Sequence, residues 1–195
     1  MSESPAAERA AARTRRLLAC GAAVGPLFVG SFLVEGARRP GYRHIRHPVS
    51  SLALGPGGWR QILNFAVSGG LCLGFAAGLE QAGLKQAGLK QASLKQASLN
   101  QAGLEQLDDA WEHRRLGSTL IGAAGIGLIG AGLFVTDPFN GYPLGTPDTP
   151  EQVTRAGQMH DLSAALILVS MPAAQLLYAR RFARASAEHT PCESS

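Results

Sequence analysis

Four long apolar runs limit what this chain can fold into more than any other feature. Each is free of charged residues and close to the ~20 residues that cross the ~30 Å hydrocarbon layer of a bilayer as a helix. Inside lipid a span must satisfy its own backbone hydrogen bonds, so the runs predict helices. We therefore predict an all-α polytopic transmembrane bundle with four spans, at about residues 17–34, 61–79, 116–135 and 162–179.

Charge and cysteine content support a membrane class and exclude others. Only 16% of the residues are charged, against about 25% in soluble domains. The net charge is +4, but the arginines stand at the ends of the apolar runs and form no basic helix face, so we predict a lipid bilayer as partner and no nucleic acid. The three cysteines have no disulfide or metal-ligand spacing, and the sequence leaves any cofactor unidentified.

The polar segments divide the chain into three parts. We assign residues 1–16 and 181–195 to polar tails and residues 17–180 to the membrane domain. Within that domain, residues 81–105 are five tandem pentapeptides of the type Gln-Ala-Gly-Leu-Lys. A five-residue step turns a helix by about 140°, so the repeated leucines would form no apolar stripe. We expect the repeat to be an insert in a connecting loop, either disordered or weakly helical.

The positions of Lys and Arg predict the orientation in the membrane. With the N-terminus in the cytoplasm, twelve Lys and Arg lie on the inner side and six on the outer side. Cytoplasmic loops carry the excess of these residues. We predict an integral protein of a bacterial or archaeal cell membrane with both termini cytoplasmic, and an outer loop unusually rich in arginine.

Small residues recur every four positions in two of the spans. Gly70, Gly74 and Gly78 form one stripe, and Ala123, Gly127 and Ala131 form another. Such stripes let a second helix approach closely. They predict tight contacts between spans, or self-association of the chain.

The loop from Arg46 into the second span carries the most specific chemistry. It reads RHPVSSLALGPGGWRQILNF and combines an Arg-His-Pro turn, two serines and a Gly-Pro-Gly-Gly break. A second motif, GAGLFVTDPFNGYPLG, ends the third span, and His160-Asp161 opens the fourth, with Asp161 suited to a helix N-cap. We predict a structured cap on the outer face.

These two motifs resemble the domain of unknown function 998 family of bacterial and archaeal membrane proteins. The resemblance covers about residues 17–180 without the repeat, and it implies a helical membrane fold with no established activity. Members usually have about six spans. The chain is therefore expected to be shortened at its C-terminus and to carry the repeat as an addition to the family pattern.

Three functions remain open for the cap. The predicted outer face holds His47, Ser50, Ser51, Asp137 and His160. The first reading is a membrane hydrolase that acts on a lipid-like substrate. Its catalytic residues would be His47, Ser50, Asp137 and His160, or it would bind a metal through His47, Asp137 and His160. A structural reading instead places Asp137 at the C-terminal end of a helix, where an anion is unfavourable, and pairs it with Arg46 or Arg43. The third reading is binding of an anionic lipid headgroup or small ligand by the arginines.

Overall fold

The structure is a computed structural model that describes residues 4–97, 101–150 and 152–188. Its four long helices are α1, Pro5–Arg38; α2, Trp59–Ala97; α3, Gln101–Leu133; and α4, Arg155–Glu188. A short 3-10 helix, Val49–Ala53, lies between α1 and α2. Side chains are described for residues 4–84, 115–150 and 152–183.

The predicted fold class is confirmed. The four helices are long and apolar enough to cross a membrane over Pro5–Arg38, Trp59–Leu84, Arg115–Leu133 and Arg155–Ala183. Three of the four predicted spans lie wholly inside these segments, whereas the third helix ends at Leu133, two residues before the predicted end. This difference of two residues is small, but it separates Asp137 from the end of α3.

The helices also extend into segments expected to be polar tails. Helix α1 begins at Pro5, with Ser4 as its N-cap, and Ser4 Oγ accepts a hydrogen bond from the Ala6 amide at 3.4 Å. Proline is favoured at the first helical position because its missing N–H would have no intrahelical partner there. At the other end α4 continues to Glu188, and residues 189–195 lie outside the described part of the chain.

The described backbone of the repeat is helical, which agrees with the helical alternative and not with the disordered one. Residues 81–97 continue α2 and residues 101–105 begin α3, while residues 98–100 are outside the description. Ala, Leu, Gln, Lys and Glu are among the strongest helix formers. Their local preference extends the apolar helix that precedes them, even though their leucines share no face.

The helices pack in chain order, α1 on α2, α2 on α3 and α3 on α4. The shared apolar core is Phe65, Cys72, Ala76, Ile121, Leu128, Ala131 and Ala174. Glycines make the closest contacts. A Cβ added to Gly69 would lie 2.7 Å from the Gly125 carbonyl oxygen, and one added to Gly125 would lie 2.9 Å from the Gly69 carbonyl oxygen. Only glycine permits this approach of the α2 and α3 backbones.

The predicted small-residue stripes lie at other contacts. Gly74 and Gly78 face Cys20, Leu17 and Leu18 of α1, whereas a Cβ on Gly70 would meet nothing within 4 Å. Gly127 faces the Ser163 carbonyl oxygen of α4. The stripes therefore contribute to contacts within the chain, except at Gly70.

Two loops meet at the end of the helices opposite the start of α1 and the end of α4, and we call this end the capped end. We call residues 39–58 the cap and residues 134–154 the second loop. Tyr42 and Leu52 from the cap pack with Tyr142 from the second loop in a small buried cluster. Positive φ angles at Gly55 (69°) and Gly57 (84°) turn the chain from the 3-10 helix into α2, a backbone conformation that side chains with a Cβ rarely adopt.

Candidate functional site

Arg39 fastens the cap to the end of α1. Its Nε donates to Glu35 Oε1 at 2.8 Å, and its two terminal nitrogens donate to the carbonyl oxygens of Leu54 at 3.1 Å and Leu52 at 3.0 Å. The Arg39 and Glu35 side chains are only 9% and 8% exposed. One guanidinium thus neutralises a buried carboxylate and satisfies two carbonyl groups of the cap.

His47 joins the cap to the second loop. Its Nδ1 accepts a hydrogen bond from the Arg43 amide at 2.9 Å, so Nε2 carries the proton and donates to the Asn140 carbonyl oxygen at 3.1 Å. The ring is buried, with its centroid 5.6 Å from that of Tyr42 and 5.3 Å from that of Tyr142. Because both nitrogens are occupied by backbone groups, His47 holds two loops together in this structure.

Tyr42 supports the same turn. Its hydroxyl donates to the carbonyl oxygens of His47 at 3.1 Å and Pro48 at 3.3 Å. Burial raises the pKa of Tyr42, and the nearby Tyr142 raises it further. The hydroxyl therefore remains a proton donor at neutral pH, as these two hydrogen bonds require.

The predicted pair of Asp137 with Arg46 or Arg43 differs from what the structure shows. Arg46 Nη2 lies 2.6 Å from Asp148 Oδ1, with the two side chains 53% and 73% exposed. Among the described residues, Arg43 forms no ion pair with Asp137. Arg46 does link the cap to the second loop, but through a different carboxylate and on the surface, where ion pairs contribute little.

Asp137 lies at the start of α4, not at the end of α3. Its Oδ2 accepts from the Thr154 amide at 2.9 Å and its Oδ1 from the Thr154 hydroxyl at 2.7 Å. Thr154 in turn caps α4 by accepting from the Gly157 amide at 2.9 Å. A helix N-terminus favours an anion, so the electrostatic argument for an opposing arginine has the wrong sign. The N-cap role expected for Asp161 belongs to Thr154, because α4 begins earlier.

His160 serves the end of α3. Its Nδ1 lies 2.8 Å from the Phe134 carbonyl oxygen and 3.2 Å from that of Ala131. Carbonyls only accept, so Nδ1 carries the proton. The last carbonyl groups of a helix have no intrahelical partner, and His160 satisfies two of them from the neighbouring helix.

The hypothetical catalytic and metal-binding set does not come together. None of the hydrogen bonds of the described residues joins two of His47, Ser50, Asp137 and His160. No group of three or more His, Cys, Asp or Glu side chains in the searched part of the chain is placed to hold a metal ion. The buried Ser51, the second serine of the motif, has no partner for its Oγ among the described residues. The described contacts of His47, Asp137 and His160 are with loop backbone and helix ends.

A different group of residues forms a cleft between α1 and α2 at the capped end. The cleft has a volume of about 370 Å³ and is lined by Gly30, Ser31, Val34, Glu35, Arg60 and Gln61. Pockets of about 300–1,000 Å³ hold small ligands. Arg60 is held weakly here, since its Nη1 lies 3.4 Å from Glu35 Oε1 and its side chain is 55% exposed.

Below the cleft, polar side chains along α2 are joined by a series of hydrogen bonds in which each residue donates to the one nearer the cleft. Ser68 Oγ donates to Asn64 Oδ1 at 3.4 Å, and Asn64 Nδ2 donates to the Phe28 carbonyl oxygen at 3.2 Å and more weakly to Gln61 Oε1 at 3.5 Å. These contacts orient the Gln61 amide, whose Nε2 is buried without a partner among the described residues. This series of hydrogen bonds therefore ends beside the cleft, at an amide donor of Gln61 that lacks an acceptor.

From the sequence alone, Gln61 and Asn64 are polar residues within the second predicted span, and Glu35, Arg39 and Arg60 are not recognised as a site. One signal was present. Glu35 and Arg39 are spaced i, i+4 immediately after an apolar run, the spacing at which opposite charges meet on a helix. The contact of Glu35 with Arg60, 25 residues further along the chain, depends on how α1 and α2 pack.

Four membrane-length helices with two loops locked together at one end define a polytopic helical membrane protein. The chain belongs to the family described as proteins of unknown function, DUF998, whose model matches residues 22–94 and 111–189. The match passes over residues 95–110, a stretch that contains the end of the repeat. Comparisons with curated proteins and with solved structures give no match. No activity is established for the family.

Proposed function

We propose that this protein binds the headgroup of an anionic lipid in the cleft between α1 and α2. The observation that carries the proposal is the unpartnered Gln61 Nε2 at the end of the hydrogen-bond chain. A buried donor without an acceptor costs about 1–3 kcal/mol. Gln61 lines the cleft, so a rotation of its side chain would bring Nε2 against an oxygen atom of a ligand there and remove this cost. The neighbouring Arg60 favours an oxygen that carries negative charge.

The surroundings of the cleft support a lipid ligand. Trp59 is 61% exposed, and the Arg60 guanidinium carbon lies 5.5 Å from the centre of its ring. Exposed tryptophans at the ends of spans mark the headgroup level of the bilayer. Arginine also matches the geometry of phosphate oxygens, to which it donates two parallel hydrogen bonds.

Anionic lipid is expected to raise the melting temperature of the wild-type protein in detergent more than zwitterionic lipid does. Arg60→Gln should remove this difference, because Arg60 is the only cation among the described residues that line the cleft. Arg43→Gln is the matched control, as it removes the same charge from the same end without touching the cleft. Equal effects of the two variants would contradict the proposal.

Gln61→Met separates binding from folding. It removes the unsatisfied donor while keeping a similar volume, so the lipid-free protein should be as stable as wild type or more stable. The additional stabilisation by anionic lipid should fall. A variant that lost stability yet kept the full lipid response would show that Gln61 is only structural.

The orientation of the cleft follows from the charge distribution. The start of α1 and the end of α4 lie opposite the capped end. The excess of Lys and Arg lies on that same opposite side, and cytoplasmic segments carry such an excess. This supports cytoplasmic termini and a cleft on the outer face. Reporter fusions after Ser2 and Ser195 should both give cytoplasmic signals, and an insertion after Thr149 should give an external one. An external signal from either terminus would reverse this assignment.

A further inference from the structure

We infer that the cleft selects a singly charged phosphodiester whose headgroup carries hydroxyl groups, as in phosphatidylglycerol. This inference rests on the proposed function and adds the chemistry of the ligand. The cleft and its ion-pair network contain two guanidinium groups, Arg39 and Arg60, and one carboxylate, Glu35. Their sum is one positive charge, which a single phosphodiester neutralises.

Glu35 supplies the second recognition element. Its Oε1 is engaged by Arg39 at 2.8 Å, whereas the only described contact of Oε2 is with Arg60 Nη1 at 3.5 Å. A carboxylate oxygen accepts more than one hydrogen bond, so Oε2 has free acceptor capacity on the wall of the cleft. Gln61 Nε2 offers a donor and Glu35 Oε2 an acceptor, a combination that matches phosphate oxygen and hydroxyl hydrogen on one ligand.

The net charge of the site and the free acceptor on Glu35 together disfavour other headgroups. Phosphatidylethanolamine is net neutral and would leave the positive charge of the site uncompensated. Cardiolipin brings two negative charges and exceeds the single positive charge of the site. The monoanion of phosphatidic acid matches that charge but has no glycerol hydroxyls for the acceptor on Glu35. Charges in a partly dry site are costly unless they are balanced.

A lipid fits the position of the cleft, because apolar side chains of two spans are exposed beside it and would lie against acyl chains in a bilayer. Val34, on the cleft wall, is 49% exposed, and Leu63 of α2 is 52% exposed. These side chains would face the glycerol backbone and the first acyl carbons of a bound lipid. A soluble ester offers nothing to cover them.

Native mass spectrometry of the purified protein with short-chain lipids tests the inference. Phosphatidylglycerol should bind about tenfold more tightly than phosphatidylethanol, the ratio expected for one hydrogen bond to a charged group. Phosphatidylethanol has the same single charge and a two-carbon headgroup without hydroxyls, so the comparison isolates the contact with Glu35. Phosphatidylethanolamine should bind more weakly than phosphatidylglycerol by at least the same ratio. Glycerophosphoglycerol, the soluble phosphodiester that remains when both acyl chains are removed from phosphatidylglycerol, should not compete.

The outcomes distinguish this inference from the proposed function. Equal, Arg60-dependent binding of phosphatidylglycerol and phosphatidylethanol would overturn the hydroxyl contact but keep an anionic lipid site. Binding that Arg60→Gln leaves unchanged would overturn both. Competition by glycerophosphoglycerol at equal concentration would replace the lipid by a soluble phosphodiester. Preference for phosphatidylethanolamine would reverse the charge argument and assign Glu35 to an ammonium group.

Discussion

Gly125→Val is expected to prevent normal packing of α2 against α3. A Cβ at this position would lie 2.9 Å from the Gly69 carbonyl oxygen and 3.0 Å from Cys72 Cβ. The first of these atoms belongs to the backbone, so the clash is relieved only by separating the helices. Overpacking a core costs about 1–3 kcal/mol or more, and in lipid the helices associate through such close contacts. Size-exclusion chromatography and thermal unfolding in detergent would show a marked loss of folded protein.

Gly70→Val is the matched control for this effect. It places the same side chain on a membrane helix next to Gly69, but a Cβ there would meet nothing within 4 Å. Both changes introduce a β-branched residue into a helix, so the difference between them measures the helix contact. Similar stability of the two variants would mean that α2 and α3 do not approach at Gly69 and Gly125.

The spans were predictable from sequence, whereas this glycine contact was not. Length and hydrophobicity alone decide whether a segment crosses a membrane. The chain contains 24 glycines, and the four-residue stripes singled out Gly70, which faces open space, and not Gly69. Which glycine meets a neighbour depends on the rotation of each helix about its axis, and that is set by packing.

The contacts of individual side chains in the candidate site could not be predicted from the sequence either. Asp137 lies at the capped end, and whether its charge is favourable there depends on which helix end lies beside it. Since α3 ends at Leu133, three residues separate it from Asp137, and the second loop carries the carboxylate to the first turn of α4. The histidines were likewise conspicuous in sequence, but their partners are backbone carbonyl and amide groups, which sequence motifs do not reveal.

Arg39→Gln is expected to cause the second large loss of stability. The change leaves Glu35, with its side chain 8% exposed, facing only the long contact with Arg60. It also removes the donors to the Leu52 and Leu54 carbonyl oxygens. Breaking a buried ion pair by deleting one partner costs about 3–5 kcal/mol, because the remaining charge keeps its desolvation penalty. We expect a lower melting temperature in detergent and faster proteolysis of the cap at Arg43 and Arg46.

Two further variants establish that the effect belongs to a buried pair. Glu35→Gln combined with Arg39→Gln should recover part of the stability, since no unpaired charge remains and the deletion of both partners is less costly than that of one. Arg46→Gln removes an exposed pair with Asp148 and should cost about 0.2–1 kcal/mol at most. If Arg39→Gln and Arg46→Gln were equally mild, or if the losses at Glu35 and Arg39 simply added, the cap would not depend on this contact. The cap would then be held mainly by His47 and the tyrosine cluster, which Arg39→Gln leaves in place.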